Sequence, residues 1–282
     1  MVIFNKIKKL TAQLEAVRQD NKKIGFVPTM GALHEGHLSL VNKAKKENDI
    51  VVVSIFVNPT QFNNPDDLKN YPRTPDEDQR MLKENNADII FSPLIEEIYN
   101  PDNTKRNVLQ LGIIADVMEG VHRRGHFAGV VQIVSKLFEI VKPQRAYFGE
   151  KDFQQLAIIR LMVIKIGFPV EIIACPTIRE KNGLAMSSRN LKLSKEGLQD
   201  AVEISKALFF VKVNWKKHQP SEIKQKAIAI IEASGKLKVE YVEIADEETL
   251  QPIQNWDQHK HIRCFAAVYC ESVRLIDNIQ LF

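Results

Sequence analysis

The sequence contains few cysteines, and their pattern argues against two kinds of small, stabilised scaffold. Only three occur in 282 residues. Cys175, Cys264 and Cys270 are odd in number and show no CxxC spacing, which argues against a disulfide framework and against a structural zinc site. Such sparse cysteine use is typical of a reducing compartment, and we expect a cytoplasmic protein.

Long apolar runs are also missing. A membrane-spanning helix needs about 20 consecutive apolar residues, and no stretch of the chain approaches that length. The first 23 residues are polar and amphipathic, without the apolar run and small-residue cleavage site of a signal peptide. We therefore expect no signal peptide and no membrane partner.

Neither sign of charge dominates the composition. Lys and Arg total 39 against 35 Asp and Glu, a formal net charge of +4. Proteins that bind nucleic acids usually concentrate positive charge in stripes or tails. The nearest candidate, formed by Lys43, Lys45 and Lys46, has helical spacing and is typical of a solvated helix face. We expect no nucleic-acid partner.

The first two-thirds of the chain alternates strand-like and helix-like segments. The β-branched run from Ile50 to Val57 is typical of a parallel strand buried on both faces. Strand–helix–strand repeats predict βαβ units and a parallel sheet. After Pro176 the pattern changes to two helices, at Leu198 to Phe210 and at Ser221 to Ala233, followed by three strands. The sequence thus predicts an α/β domain over residues 1–176 and a smaller α+β domain over residues 177–282.

A histidine-containing segment follows the first predicted strand of this sheet, where ligands of parallel sheets bind. It runs from Pro28 to His37. Gly31 allows close backbone approach, and the N–H groups at the following helix start attract anions. His34 and His37 share one face of the first turn, where two imidazole donors could hold a triphosphate. Zinc ligation is disfavoured because no further ligand is suitably spaced nearby, whereas a capping or surface role stays open.

A lysine lies after the strand predicted at Arg145 to Phe148. Lys151 is a compact positive charge suited to phosphate. Asp152 could cap the following helix or accept a hydrogen bond from a ribose hydroxyl. Gln155, one turn further along, would point at the same cleft.

Three further polar segments complete the candidate chemistry. The one containing two serines and an arginine could close over a polyphosphate, although an ordinary polar loop is also consistent with it. The glutamine in another offers a neutral donor and acceptor, and the third is a basic loop entering a helix. In the same order, the three segments are Leu184 to Asn190 with Ser187, Ser188 and Arg189, Phe56 to Phe62 with Gln61, and His122 to Phe127.

Together these segments resemble one enzyme family. HEGH is similar to the HxGH signature of the nucleotidylyltransferase superfamily, and MSSR is similar to its mobile second signature loop. The full set resembles the pantoate–β-alanine ligase (pantothenate synthetase) family and spans positions 28 to 279. In chain order the segments are PTMGALHEGH, FVNPTQF, YPRTPDED, RRGHFAGV, RAYFGEKDFQQL, LAMSSRN and RLIDNI.

The resemblance implies a fold, a reaction and an assembly. The larger domain would be Rossmann-like, with the smaller domain closing over the active site, and the enzyme would be a homodimer. ATP and pantoate would form pantoyl adenylate and pyrophosphate, after which the β-alanine amine would displace AMP to give pantothenate. Mg²⁺ would accompany ATP, and no protein metal ligand is assigned.

The resemblance also implies three sets of site residues. The catalytic set is His34, His37, Lys151 and Arg189. ATP would contact these four and also Met30, Gly31, Ala32, Leu33, Glu35, Gly36, Gly149, Glu150, Asp152, Ile178, Met186, Ser187 and Ser188. Pantoate would be held by Gln61 and Gln155, with Asn58, Arg123 and His126 lining the same cleft.

Two further features carry expectations of their own. We expect His37 to be a neutral donor, because a helix N-terminus disfavours imidazolium. The acidic run Asp76, Glu77 and Asp78 could help to hold Mg²⁺, or it could begin a helix with charges that the helix dipole favours.

Two rival functions stay open on the sequence. An adenylyl transferase acting on a phosphate ester would need more Arg and Lys near the acceptor than the neutral segment around Gln61 offers. An RNA-binding protein with a synthetase-like core would need an anticodon-binding domain or a basic stripe, and residues 177–282 show no strong basic cluster.

Overall fold

The structure, a computed structural model, describes residues 1–99 and 109–282. The chain divides into two compact units, and each is made of three segments. The first unit is Met1–Leu111, Arg123–Glu150 and Gln155–Pro176, and the second is Gly112–His122, Lys151–Gln154 and Thr177–Phe282. Two short segments before Pro176 therefore belong to the second unit. The division into domains at residues 1–176 and 177–282 stays a prediction.

A six-stranded sheet forms the centre of the first unit. Its strands are β1 (Val2–Phe4), β2 (Ile24–Thr29), β3 (Ile50–Ile55), β4 (Ile89–Phe91), β5 (Arg145–Gly149) and β6 (Glu171–Cys175). All neighbours run parallel, in the order β1-β4-β3-β2-β5-β6. The predicted parallel sheet is confirmed.

The two central strands are buried because helices cover the sheet. Val51 and Val53 of β3 belong to one apolar cluster with Leu38, Val41 and Ala44, which recur at helical spacing. β1 was not predicted, since three residues at a sheet edge give too short a pattern to recognise.

The helices of the first unit begin or end near most of the polar segments. They are α1 (Ile7–Gln19), α2 (Glu35–Glu47), α3 (Pro65–Lys69), α4 (Pro75–Glu84), α5 (Ile95–Ile98) and α7 (His126–Val141). The short α6 (Glu119–His122) belongs to the second unit, and α8 (Phe153–Ile166) begins with two residues assigned to that unit. Single 3₁₀ turns lie at Pro59–Gln61, Gly112–Ala115, Glu150–Asp152, Ser188–Lys192 and Trp215–Lys217.

Besides α6, the second unit combines three longer helices with a three-stranded antiparallel sheet, as the sequence predicted for an α+β domain. The helices are α9 (Lys195–Asp200), α10 (Val202–Asn214) and α11 (Pro220–Glu232), and the strands are β7 (Leu237–Asp246), β8 (Ile262–Cys270) and β9 (Val273–Gln280). The sheet order is β7-β8-β9. Ile223, Ala227 and Ile231, four apart on α11, are fully buried in its core.

One helix predicted from Leu198 to Phe210 is two helices in the structure. Ser194 begins the first of them, because its hydroxyl accepts the Gly197 N–H at 2.9 Å. The second starts after Ala201. No helix within residues 1–99 and 109–282 is long and apolar enough to cross a bilayer.

Candidate functional site

The loop after β2 is held by a buried carboxylate. Gly31 and Ala32 have φ values of 80° and 48°, two consecutive residues in the left-handed region. Asp78 of α4 accepts the Ala32 N–H at 3.0 Å and the Leu33 N–H at 2.8 Å. A Cβ at position 31 would lie 2.9 Å from Asp78 Oδ2, so this turn requires glycine. These two backbone N–H groups thus donate to a protein side chain.

Two histidines cap the helix that follows. The Gly36 N–H donates to His34 Nδ1 at 3.1 Å, and the His34 N–H donates to His37 Nδ1 at 3.3 Å. A nitrogen that accepts a backbone N–H carries no proton, so each neutral imidazole bears its proton on Nε2. The ring centroids are 4.1 Å apart. The capping role left open by the sequence is therefore real, and the two Nδ1 atoms carry it.

The acidic run begins α4, one of its two predicted roles. Glu77 accepts two hydrogen bonds from Arg80, which lower the pKa of the Glu77 carboxyl. Asp78 is almost fully buried and also accepts the Thr74 hydroxyl at 3.1 Å. In the part of the chain that the structure describes, no three His, Cys, Asp or Glu side chains are grouped to hold a metal ion.

The turn after β3 places an amide beside this loop. Gln61 is buried, and its Oε1 accepts from Asn58 Nδ2 at 3.3 Å. Its Nε2 lies 2.8 Å from the Met30 sulfur. The structure thus brings together two predicted site residues, Met30 and Gln61, that come from different strand ends.

The start of α7 supports the same turn. His126 Nδ1 donates to the Gln61 carbonyl at 2.8 Å, and its Nε2 lies 3.2 Å from Arg123 Nη1. A carbonyl can only accept and a guanidinium can only donate, so His126 bears its proton on Nδ1, opposite to His34 and His37. Asn58 also donates to the Gly129 carbonyl at 3.1 Å. Because both of its ring nitrogens bond to protein, His126 supports Gln61.

The second unit contains the other polar segments. Lys151 Nζ lies 3.8 Å from Asp152 Oδ1. Ser187 caps the 3₁₀ turn at Ser188–Lys192 by accepting the Arg189 N–H at 3.3 Å. The Met186 N–H donates to the Ile178 carbonyl at 3.0 Å. The structure therefore joins Ile178 to the serine-containing segment, two predicted site features.

The predicted site residues fall in both units. The first unit contains Gln155 and all predicted site residues up to Glu150. Among these are His34, His37, Asn58, Gln61, Arg123, His126 and Gly149. Lys151, Asp152, Ile178 and the stretch 186–189 belong to the second. Their gathering around one nucleotide stays a prediction.

Two residues with clear local roles were not predicted from the sequence. Asp78 was considered only as a metal ligand or a helix-start charge, and Gly129 was not considered. Asp78 lies in an acidic run and its partner at Ala32 lies 46 positions away, so the sequence gives no signal for its buried role.

Comparisons with known proteins agree on one family. A sequence model described as pantoate–β-alanine ligase matches residues 2–280. Proteins named pantothenate synthetase from Bacteroides fragilis and Porphyromonas gingivalis are each 49% identical over 280 residues, covering 99% of both chains. These relatives are similar over their full length.

Solved structures give the same result. The crystal structure of pantothenate synthetase from Thermus thermophilus matches with a TM-score of 0.94 and 39% identity, covering 100% of both chains. A pantoate–β-alanine ligase from Francisella tularensis, complexed with "Beta-gamma ATP and Beta-alanine", matches with a TM-score of 0.82 and 38% identity, covering 100% of this chain and 98% of that one.

Proposed function

Because this chain belongs to the pantoate–β-alanine ligase family, which forms pantothenate through a pantoyl adenylate, we propose the residues that carry out each step. The enzyme condenses pantoate with β-alanine and releases AMP and pyrophosphate from ATP. The residue assignment rests on one observation: His34 and His37 together cap the start of α2.

The histidine pair is suited to a triphosphate. Both Nδ1 atoms accept backbone N–H groups, so the proton of each neutral ring is on Nε2, the nitrogen farther from the backbone. Neutral N–H donors at a helix N-terminus stabilise phosphoryl oxygens without adding a second positive charge to the helix dipole. We assign His37 as the donor that stabilises the negative charge developing on the α-phosphate oxygens in the transition state.

The remaining phosphate contacts come from the second unit. Lys151 and Arg189 supply positive charge, and the Ser187 and Ser188 hydroxyls supply neutral donors. With them we assign to ATP the predicted backbone and side-chain contacts at Met30–His37, Gly149–Asp152, Ile178 and Met186. Loss of one such donor should lower the rate roughly 10²–10³-fold, by analogy with deletion of an oxyanion-hole donor.

The acceptor side is neutral. We propose that Gln61 and Gln155 hold pantoate and that Gln61 also lies near β-alanine. A bidentate arginine would bind the pantoate carboxylate strongly and reduce its nucleophilicity, whereas amides orient it at less cost. Asn58, Arg123 and His126 support this assignment indirectly, because they hold Gln61 through its side chain and its carbonyl.

The chemistry then needs positioning more than covalent assistance. The pantoate carboxylate attacks the α-phosphorus in line, pyrophosphate leaves, and charge builds up on oxygens that fixed donors can stabilise. The β-alanine amine next attacks the acyl carbon of the adenylate, and AMP leaves. Mg²⁺ would neutralise phosphate charge, and it usually binds through phosphates and few protein carboxylates. Asp78 is already used by three protein donors.

The decisive experiment omits each reactant in turn. Purified protein is mixed with ATP, Mg²⁺, pantoate and β-alanine, and AMP and pantothenate are measured. Both products should require all four components. Exchange of labelled pyrophosphate into ATP should require pantoate but not β-alanine. Exchange supported by a phosphate ester in place of pantoate would contradict the assignment and favour the rival adenylyl transferase.

Assembly and location follow from the family resemblance and the composition. We propose that the enzyme is a homodimer in the cytoplasm, acting on small molecules without nucleic-acid or membrane partners. Sedimentation at micromolar concentration tests the assembly, since a species of about 32 kDa, the mass of one chain, would contradict a dimer.

A further inference from the structure

Two adjacent residues of β9 form hydrogen bonds next to the lysine and serine segments of the second unit without belonging to those segments. Asp277 and Asn278 are only 5% and 3% exposed. They form the centre of the RLIDNI segment, for which the proposed chemistry gives no role. Buried polar side chains are retained only when their hydrogen bonds are satisfied, so their partners indicate what they do.

Asn278 holds the backbone at the lysine. Its Nδ2 donates to the Lys151 carbonyl at 2.8 Å, and its Oδ1 accepts from Arg263 Nη1 at 2.6 Å. A guanidinium has only donors and a carbonyl has only acceptors, so the amide has one orientation. Arg263 is itself fixed by Glu247 at 2.8 Å and lies over the Phe153 ring.

Asp277 holds the turn that leads to the serines. Its two carboxylate oxygens accept from Arg179 at 2.6 and 3.0 Å, the bidentate geometry that fixes a guanidinium most firmly. The same guanidinium donates to the Gly183 carbonyl at 3.1 Å and the Asn278 carbonyl at 3.3 Å.

The arginine in turn fixes both ends of a short loop. Arg179 pairs with Ala185 in an antiparallel bridge, and one residue further on each side the Met186 N–H donates to the Ile178 carbonyl. Ser187 follows directly. The dipeptide on β9 is therefore bonded to the Lys151 segment on one side and, through Arg179, to the base of the serine segment on the other.

We propose that Asp277 and Asn278 are positioning residues that fix the Lys151 segment and the Met186–Arg189 segment relative to each other. The inference rests on the proposed binding of ATP phosphates by those two segments. In this proposal, one strand determines the distance between Lys151 and the Met186–Arg189 segment, which lie about 36 positions apart in the chain. A displacement of about 1 Å between such groups can reduce a rate by about 10²-fold.

Asn278→Asp is the sharpest variant, because it keeps the acceptor for Arg263 and removes the donor to Lys151. A carboxylate oxygen would then face the Lys151 carbonyl oxygen. Asn214→Asp is the matched control: Asn214 Nδ2 also donates to a backbone carbonyl, of Phe210 at 2.9 Å, and its Oδ1 accepts from Lys217. The control lies in the same unit, at the end of α10.

Two measurements are made on both variants: steady-state kinetics and amide hydrogen exchange without ligand. In Asn278→Asp we expect the KM for ATP to rise at least about 10-fold, with the KM for pantoate within about 2-fold. Exchange should accelerate at residues 151–154. Asn214→Asp should leave both KM values and that exchange unchanged. A merely structural role would lower kcat through loss of folded protein and leave the KM for ATP unchanged, which would overturn the proposal.

Arg179→Lys tests the other side of the same strand and covers the case in which Asn278→Asp does not fold. Lysine keeps the charge but loses the bidentate fork. Exchange should accelerate at residues 184–189, and the KM for ATP should rise. Unaltered exchange in both segments would overturn the positioning role. If the unmutated protein showed no pantoate-dependent exchange of pyrophosphate into ATP, the proposed function would be contradicted instead. Amide hydrogen exchange would still decide whether β9 holds the two segments.

Discussion

At the scale of single residues, three histidines illustrate how a backbone partner selects a tautomer. His34 and His37 accept backbone N–H groups at Nδ1, whereas His126 donates from Nδ1 to a carbonyl. The first two therefore carry the proton on Nε2 and the third on Nδ1. The same residue type thus caps a helix in one place and supports Gln61 in another.

The substitution His37→Asn separates capping from catalysis. The asparagine carbonyl can accept the His34 N–H, as Nδ1 does, but the shorter side chain cannot deliver a donor where Nε2 lies. We expect kcat to fall roughly 10²–10³-fold with little change in thermal stability. Activity assays and thermal melts on the same preparation test this. A large loss of stability with near-normal activity would contradict the assignment.

Asp78→Asn tests the carboxylate that holds the left-handed turn. The amide keeps one acceptor but points an N–H at one of the backbone N–H groups of Ala32 and Leu33. Leaving a buried donor unsatisfied costs about 1–3 kcal/mol, and urea unfolding should show a loss of that size. Asp76→Asn, at an exposed position of the same helical turn, should change the free energy of unfolding by less than about 0.5 kcal/mol. Equal effects from the two variants would contradict the role of Asp78.

Residue roles were predictable only where local spacing determines them. The three-residue separation of His34 and His37 is the spacing of a capping box, and it brings the two side chains together although His34 precedes the helix. The bond from Asp78 to a loop 45 and 46 positions earlier depends on how α4 packs, and spacing contains no information about that.

At the scale of elements, the strand ends that carry polar segments were predictable. β2, β3 and β5 are apolar runs, and polar residues follow each of them. A parallel sheet places the carboxyl ends of all three strands at one edge. The break between α9 and α10 was not predictable, because both helices continue one apolar pattern across Ala201. Tertiary packing also determines that a glycine of α7 meets the turn after β3.

Gly129→Ala tests that contact between elements. Alanine in a helix interior is favoured over glycine by about 1 kcal/mol, so propensity alone predicts a more stable protein. An added Cβ would lie 2.4 Å from the Thr60 carbonyl oxygen and 2.6 Å from the Gln61 Cα and N, all backbone atoms. We expect lower stability, because overpacking typically costs about 1–3 kcal/mol, and a rise of about 10-fold in the KM for pantoate.

The exposed position Glu139 of the same helix provides the control. Glu139→Ala adds no contact and should leave the KM for pantoate unchanged. An increase in stability in Gly129→Ala, with an unchanged KM for pantoate, would show that α7 does not support the turn at Gln61.

At the scale of the whole molecule, the second unit recruits segments that the sequence assigned elsewhere. Glu119 is buried and receives Arg274 through two bonds of 2.6 and 2.8 Å, and the Tyr241 hydroxyl donates to it at 2.8 Å. Gln154 accepts the Glu119 N–H at 3.0 Å. These partners lie 35 to 155 positions away, so composition and periodicity could not reveal that residues 112–122 and 151–154 belong to this unit.

Buried thiols and phenols also predict how the stability of the whole molecule depends on alkaline pH. Burial raises the pKa of Cys175 from 9.0 to about 11 and that of Tyr147 from 10.0 to about 12, and it raises the pKa of Tyr241 and Cys270 as well. The folded protein therefore keeps protons that the unfolded chain loses. The contribution of each group is fully present below its unfolded pKa and is lost as pH rises through the folded value.

The free energy of unfolding should consequently fall as pH rises from about 9 to about 11, by up to about 1.4 kcal/mol per pH unit for each proton that only the folded state retains. Urea unfolding in the presence of reductant, repeated at steps of half a pH unit, measures this slope. Cys175→Ala removes one of these protons and should make the slope shallower in that window, while the slope below about pH 8 should stay the same. A slope unchanged by the substitution would mean that the thiol ionises as readily in the folded protein as in the unfolded chain, and that its burial has no influence on alkaline stability.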